Sequence, residues 1–303
     1  MPKIRIGTRE SELAVWQANL VKRLLADDGH EAELIFIKSE GDTDLKTPLY
    51  EIGVQGIFTR ALDIALLNGN IDIAVHSMKD VPTQMPKGIV CASILKRASY
   101  KDLLVPKTDI AFLDGTLPVV IATSSIRRKA QWLNRYPGHT LENLRGNVNT
   151  RLQKVKDNNW NGAIFAAAGL ERINLRPANA IELDWMLPAP AQGAIMVVCR
   201  ADDNHSLDAC SSFHDNETAL CTGLERDFLR ALMGGCATPI SALAQIQNGV
   251  VVFEGNILSV DGTEKLEVRR TIPVDSATDI GKDAAEELLR KGGRAILESV
   301  RSA

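Results

Sequence analysis

The sequence predicts two α/β lobes followed by a small C-terminal α+β domain with a three-stranded antiparallel sheet. Three observations predict it. Apolar runs of strand length alternate with helical periodicity through the first two-thirds of the chain, the signature of βαβ units. That alternation starts afresh near Pro118. The last third then changes to strand-length runs separated by Asn248-Gly249 and Asp261-Gly262, both strong hairpin pairs. A chain of 303 residues has room for two or three domains. The expected domains are 1–97 with 195–214, then 98–194, then 215–303.

Taken in order, Lys3–Thr8 reads as a strand. Glu10–Asp27 reads as a helix because Leu13, Trp16, Leu20, Val21 and Leu24 recur at i, i+3, i+7, i+8 and i+11. Ala32–Lys38 is a second strand, and the polar stretch Gly41–Gly56 reads as a mobile loop. Ile57–Leu67 is helical, and Ile71–His76 and Ile89–Leu95 are buried-type strands, giving a mainly parallel sheet covered by helices. In the second lobe, strands are expected at Val119–Thr123, Thr140–Leu144 and Ala163–Ala168, with helices at Ser125–Arg135 and Thr150–Asn158. Ile195–Arg200 is a later strand able to return to the first sheet. Helix Glu217–Leu232 precedes the strands Ser241–Gln247, Val250–Val260 and Glu264–Thr271. Helical sequence follows from Ala284, weakened at Gly292-Gly293.

Composition narrows the function. Hydrophobic residues make up 45% and charged residues 24%, as in an ordinary globular protein. The net charge of −3 argues against a general polyanion binder. With 5% aromatics, stacking platforms for nucleic acid are scarce, so no nucleic-acid partner is expected. The start MPKIRIGTRESEL shows no export signal, and Gly162–Leu170 is too short to span a bilayer. A cytoplasmic protein with no membrane partner is expected. Five cysteines without a C-x-x-C pair favour neither a disulfide framework nor a metal site. Cys91 and Cys199 lie in strand-like runs and Cys221 on a helix. Cys236 differs: it follows Gly234-Gly235 and precedes Ala-Thr-Pro.

Charge is concentrated. Residues 120–176 hold seven Arg and three Lys against two Glu and one Asp, a local charge of +7. Such a run is either a solvated face or a site for a multiply anionic small molecule. Its placement favours the site. Ser124, Ser125, Arg127 and Arg128 sit where a strand runs into a helix, as does Arg9 in the first lobe. Arg145 and Arg151 bracket Gly146-Asn147, and Arg172 follows the strand Ala163–Ala168. Helix starts expose backbone N–H groups to anions, and guanidinium forks match carboxylates. One carboxylate-binding cleft is therefore expected from these arginines. His76-Ser77-Met78-Lys79-Asp80 ends a strand at the edge where α/β sheets place their sites. His76 by itself reads as a hydrogen-bonded structural histidine. No Walker loop or G-x-G-x-x-G is present, so nucleotide chemistry has little support. A non-enzymatic anion-binding protein with the same two lobes is the main rival. It would need neither Cys236 nor the third domain.

Six ordered segments then resemble the porphobilinogen deaminase family. They are IRIGTRESELA at 4–14, DIAVHSMKDVP at 72–82, TSSIRRKAQ at 123–131, LRGNVNTRLQK at 144–154, AAAGLERI at 166–173 and GGCATPI at 234–240. The resemblance implies two lobes like those of periplasmic binding proteins plus a third domain carrying a cysteine, here Cys236. That thiol would hold a dipyrromethane cofactor through a thioether. Four porphobilinogen units would then be deaminated and joined to it, and the tetrapyrrole hydroxymethylbilane released, by a monomeric transferase of haem biosynthesis. It also implies that Asp80 contacts pyrrole nitrogens and stabilises the cationic azafulvene left when ammonia departs. Ser77, Lys79, Thr123, Ser125, Arg127, Arg128, Arg145 and Gly146 would contact the cofactor. Arg9, Arg151, Arg172 and again Ser125 would take substrate carboxylates. No metal is implied. Two departures stand out: Gln55 where the family usually has lysine, and Ala191 where Gly-Gln-Gly-Ala is usual.

Overall fold

A computed structural model describes residues 3–39, 58–113, 118–232 and 238–302. These divide into two compact units, one from residues up to 99 together with 192–220, the other from 100–191 and 221 onward. In chain order the first unit opens with β1 (Ile4–Thr8), α1 (Glu12–Asp27), β2 (Ala32–Phe36), α2 (Arg60–Leu67), β3 (Ile73–Ser77) and β4 (Ile89–Ile94). The second supplies β5 (Asp102–Pro106), β6 (Val120–Ala122), α3 (Ile126–Arg135), β7 (Thr140–Glu142), α4 (Val148–Asp157), β8 (Gly162–Ala166), α5 (Ala167–Arg172) and β9 (Ile181–Glu182). The chain returns to the first unit with β10 (Ile195–Arg200) and α6 (Asn204–Ser211). α7 (Asn216–Ala231) begins in the first unit and continues into the second from residue 221, and β11 (Ile240–Gln247), β12 (Val250–Leu258), β13 (Lys265–Pro273), α8 (Ile280–Leu288) and α9 (Arg294–Ser302) complete the second.

The two five-stranded sheets share one plan. Their orders are β2-β1-β3-β10-β4 and β7-β6-β8-β5-β9. In each, three neighbouring parallel strands are followed by one antiparallel strand that comes from beyond the local βαβ run. β10 arrives only after the whole second lobe, and β5 precedes its own lobe's parallel strands. Four of the five strands in each sheet run the same way, so the first sheet is mainly parallel as expected, with one antiparallel strand in each. A strand entering from a distant segment needs no crossover helix, so nothing compels it to run parallel.

α1 begins where Ser11 caps it, its Oγ accepting from the Ala14 N–H at 3.4 Å. Ala14, Gln17, Ala18, Val21 and Leu25 form the buried face. Trp16, Leu20 and Leu24 are partly buried and pack against the core cluster that includes Ile6, Ile73 and Val197. The second lobe's core is split across its sheet. One side gathers Leu103, Ala122 and Phe165, the other Leu104, Ile121 and Trp132. Alternate residues of β5 and β8 thus face opposite layers, as a sheet covered on both faces requires.

The C-terminal sheet runs β11-β12-β13, antiparallel throughout. Asn248 and Gly249 both adopt positive φ (50° and 78°), the type I′ geometry that the Asn-Gly pair predicts. Gly255 leaves room for Phe228 of α7, since a Cβ there would lie 2.7 Å from the ring. Gly281 does the same for the α7 backbone, where a Cβ would meet the Leu224 carbonyl at 2.0 Å. The predicted weakness at Gly292-Gly293 is a π-helical turn, Leu289–Gly293, with Gly292 at φ 108°. It separates α8 from α9.

Candidate functional site

The candidate residues sit at the carboxyl ends of parallel strands. In the second unit β6, β7 and β8 are parallel neighbours, so their carboxyl ends share one sheet edge. Arg127 and Arg128 follow β6, Arg145 and Arg151 follow β7, and Arg172 follows β8. In the first unit β1 and β3 are likewise parallel neighbours. Arg9 follows β1, and Ser77 ends β3 with Lys79 and Asp80 just beyond it. Open α/β sheets place their ligands at such edges.

In the first unit a single 3-10 turn, Met78–Asp80, carries the motif. Met78 is buried and its N–H donates to the Ala194 carbonyl at 3.0 Å, which pins the turn to the strand leading into β10. Ser77, Lys79 and Asp80 are left half-buried. Gln17 Nε2 donates to Ser77 Oγ at 2.9 Å, and Lys79 Nζ donates to Gln192 Oε1 at 3.3 Å. Arg9 lies with its guanidinium carbon 4.7 Å from the centre of the Phe58 ring. His76 departs from the expected hydrogen-bonded histidine: it is buried and its Nε2 has no hydrogen-bond partner. Burial, reinforced by the Arg9 charge, pulls its pKa from 6.5 to about 3. It is a neutral core residue.

The junction of β6 with α3 is more heavily charged. Ser125 caps α3, accepting from the Arg128 N–H, and Thr123 Oγ1 accepts from the Ser125 N–H at 3.2 Å. Ser124 Oγ donates to the Leu144 carbonyl at 2.6 Å, tying this junction to the next one. Arg127 and Arg128 are buried and share Asp102, the first residue of β5. Arg127 Nη2 donates to one carboxylate oxygen at 2.7 Å, and Arg128 donates Nε and Nη2 to the other at 3.1 and 2.7 Å. Burial would raise the Asp102 carboxyl. The two guanidiniums override this and hold it well below the usual carboxylate range. Burial also pushes the Arg127 guanidinium down, against the pull of Asp102.

The remaining basic residues are placed by the next two junctions. Asn147 caps α4, its Oδ1 accepting from the Thr150 N–H at 2.9 Å. Gly146 has φ 112°, and a Cβ there would meet Thr150 at 2.8 Å, so the tight turn requires glycine. Arg151 Nε donates to the Gly146 carbonyl at 2.7 Å, and Arg145 is buried just before it. Arg172 was expected straight after a strand. The strand ends at Ala166, and Arg172 instead closes the six-residue helix α5. Burial lowers its guanidinium pKa to about 10, so it stays charged at neutral pH. The run Ala163–Ala168 concealed this change because alanine suits both states.

Four further residues brace the candidate segments, each within its own unit. Asp102, Gln17, Gln192 and Glu225 are all buried or part-buried and bonded to their framework. Only Asp102 had a visible signal, an acidic residue heading the apolar run Leu103–Val105. Glu225 accepts from the Ala191 N–H at 2.6 Å and the Ala244 N–H at 2.8 Å. Ala191, at the position where glycine was expected, takes φ 62° in this setting. Gly193 follows at φ 90°, close against the Ala98 and Ser99 carbonyls. Cys91 is half-buried, while Cys199 and Cys221 are buried. Cys236 and Gln55 lie outside the described residues.

The donor set suits an acidic ligand. Arg127 Nε is buried without a hydrogen-bond partner among the described residues. It belongs to a cluster with one positive charge in excess, and a carboxylate would satisfy both.

Comparison with known proteins agrees. The family described as "Porphobilinogen deaminase, dipyromethane cofactor binding domain" matches residues 4–208, and "Porphobilinogen deaminase, C-terminal domain" matches 219–290. The chain is 41% identical to the chloroplastic porphobilinogen deaminase of Pisum sativum, covering 98% of this chain and 84% of that protein. It is 40% identical to the porphobilinogen deaminase of Pelobacter propionicus, covering 98% and 97%. Among solved structures, the methionine-binding protein MetQ overlaps 72% of this chain and 92% of its own at 12% identity, with a TM-score of 0.46. A periplasmic substrate-binding protein from Coxiella burnetii overlaps 71% and 94% at 16% identity, with a TM-score of 0.43. By the two family matches and by identity sustained along almost its whole length, the chain belongs to the porphobilinogen deaminase family, the transferases that join four porphobilinogen units into hydroxymethylbilane on a dipyrromethane cofactor.

Proposed function

We propose that the arginines at the carboxyl ends of β6, β7 and β8, with Arg9 after β1, bind the acetate and propionate groups of the growing pyrrole chain, and that Asp80 serves the condensation itself. The observation that carries this is the shared sheet edge. Arg127 and Arg128 follow β6 there and Arg145 follows β7, while Arg172 closes the short helix that follows β8. Each porphobilinogen unit brings two carboxylates, so a lengthening chain needs many such forks.

In this reading Thr123, Ser125, Arg127, Arg128, Arg145 and Gly146 hold the cofactor, together with Ser77 and Lys79. Arg151, Arg172, Arg9 and Ser125 take the incoming substrate. Cys236 is the attachment point. When bound, the dipyrromethane would supply the pyrrole carbon to which the first unit is joined, and each later unit would join the end of the growing chain. Asp80 accepts a pyrrole N–H and offsets the positive charge that develops as ammonia leaves. A carboxylate in a partly dry site is suited to both tasks. The protein thus supplies position and charge, and no side chain acts as nucleophile on the substrate. The chain would work as three domains, 1–97 with 195–214, 98–194 and 215–303, in a monomer of the cytoplasm. Porphobilinogen is its small-molecule partner.

Intact mass spectrometry tests the reading. Protein freshly made in a porphobilinogen-competent host should carry the added mass of two pyrrole units, and Cys236→Ser should fold without it. Added porphobilinogen should give stepwise heavier species and release ammonia. An unmodified wild-type mass with no ammonia release would overturn it.

A further inference from the structure

Asp102 is fully buried, and nothing in the reading above gives it a task. Both oxygens of its carboxylate accept from the two arginines at the head of α3. Each arginine is held a second time from elsewhere. Arg128 Nη1 donates to the Ile164 carbonyl of β8 at 3.0 Å, and Arg127 Nη1 donates to the Leu187 carbonyl at 2.6 Å. Gln131, one turn further along α3, braces the same carbonyl through Nε2 at 2.9 Å. The guanidinium planes are therefore fixed between β5, β8 and the segment around Leu187.

Charge balance adds a second constraint. Two buried guanidiniums without an anion would repel each other where water cannot screen them. With Asp102 the cluster carries one excess positive charge. One orphaned donor, Arg127 Nε, remains inside it. A single carboxylate matches both counts.

We propose that Asp102 is a positioning residue for the reaction: it locks Arg127 and Arg128 in orientation and sets the α3 cluster to receive one carboxylate arm of the bound pyrrole chain. The proposal rests on the functional reading above and deepens it. Asp102 acts through the two arginines.

The experiment compares wild-type protein, Asp102→Asn and the triple variant Asp102→Asn/Arg127→Gln/Arg128→Gln. Each is assayed for cofactor loading by intact mass, for kcat and KM with porphobilinogen, and for folding by circular dichroism. The wild-type arm separates the two readings, since wild-type protein without cofactor or turnover would defeat the family assignment before any variant is compared. If Asp102 acts through the arginines, Asp102→Asn should lose about tenfold or more in loading or kcat/KM, and removing the arginines as well should cost no more than about twofold further. A folded Asp102→Asn within about twofold of wild type would overturn the proposal. So would a triple variant far below Asp102→Asn, because the arginines would then be working without their anchor. Should Asp102→Asn fail to fold, Arg128→Lys keeps the cluster's charge while losing the planar fork that Asp102 aligns. It should fold and still lose about tenfold; wild-type loading and kinetics in that variant would equally overturn the proposal.

Discussion

The two lobes build their strand ends alike and charge them differently. In the first, the motif at the end of β3 includes two bonds to neutral side chains, Gln17 to Ser77 and Lys79 to Gln192. Its side chains stay half-buried, and the anchoring falls to Met78 and the backbone. In the second, the head of α3 is anchored by its own charges, two buried arginines on one buried aspartate. The lesson concerns separability. Where neutral groups hold the turn, a charge such as Asp80 can be changed without disturbing the fold. Where the charges are themselves the anchor, function and stability move together.

Four measurements sharpen or break that contrast. The largest effect should be on stability in the second lobe. Asp102→Ala strands two buried guanidiniums and should cost about 3–5 kcal/mol in denaturant unfolding. A loss under about 1 kcal/mol would mean that water reaches the cluster. Next comes Asp80→Asn, which keeps the shape and removes the charge. Single-turnover ammonia release should fall by about 10²–10³, with thermal unfolding nearly unchanged. Asp80→Glu should retain more activity than Asn. If Asp80→Asn lowers stability as much as Asp102→Ala does, the lobes are not different in kind.

The third concerns acid. His76 has a folded pKa below its unfolded one, so the unfolded chain binds the extra proton. Its contribution is whole above the ordinary value of 6.5 and fades as pH falls toward about 3, at about 1.4 kcal/mol per unit. Asp102 also has a lowered folded pKa, but its contribution is whole above 3.8 and is lost only below that. Between pH 6 and pH 5 the first lobe should therefore weaken and the α3 cluster should not. Unfolding curves of wild type and His76→Phe across that interval check it: the variant should show the shallower slope. The smallest effect belongs to the part-exposed pair Arg5–Asp72, with Nη2 2.7 Å from Oδ1. Asp72→Asn should cost no more than about 1 kcal/mol, since solvent screens the pair.

Much of this architecture was legible along the chain. The helices and most strands declared themselves through periodicity, and the Asn-Gly turn through the positive φ it prefers. The arginines were legible too, because a strand running into a polar helix start marks a sheet edge without reference to any other part of the molecule. What escaped was non-local. β5 is short, ends in proline, and looks like a loop until it pairs with β8. Asp102 heads an apolar run, but its role as an anchor was hidden, since its two partners lie 25 and 26 residues away.

The sequence by itself determined the element types, the family and the kinds of charge the site would carry. These follow from local propensity, turn chemistry and the order of motifs. Only the tertiary structure decided that an antiparallel strand enters each sheet, that His76 is buried neutral, and that Asp102 anchors two of the arginines. The physical reason is that burial, and the pairing of charges it enforces, depend on which distant segments meet. A guanidinium reads the same in the chain whether it will face water, a ligand or a buried carboxylate.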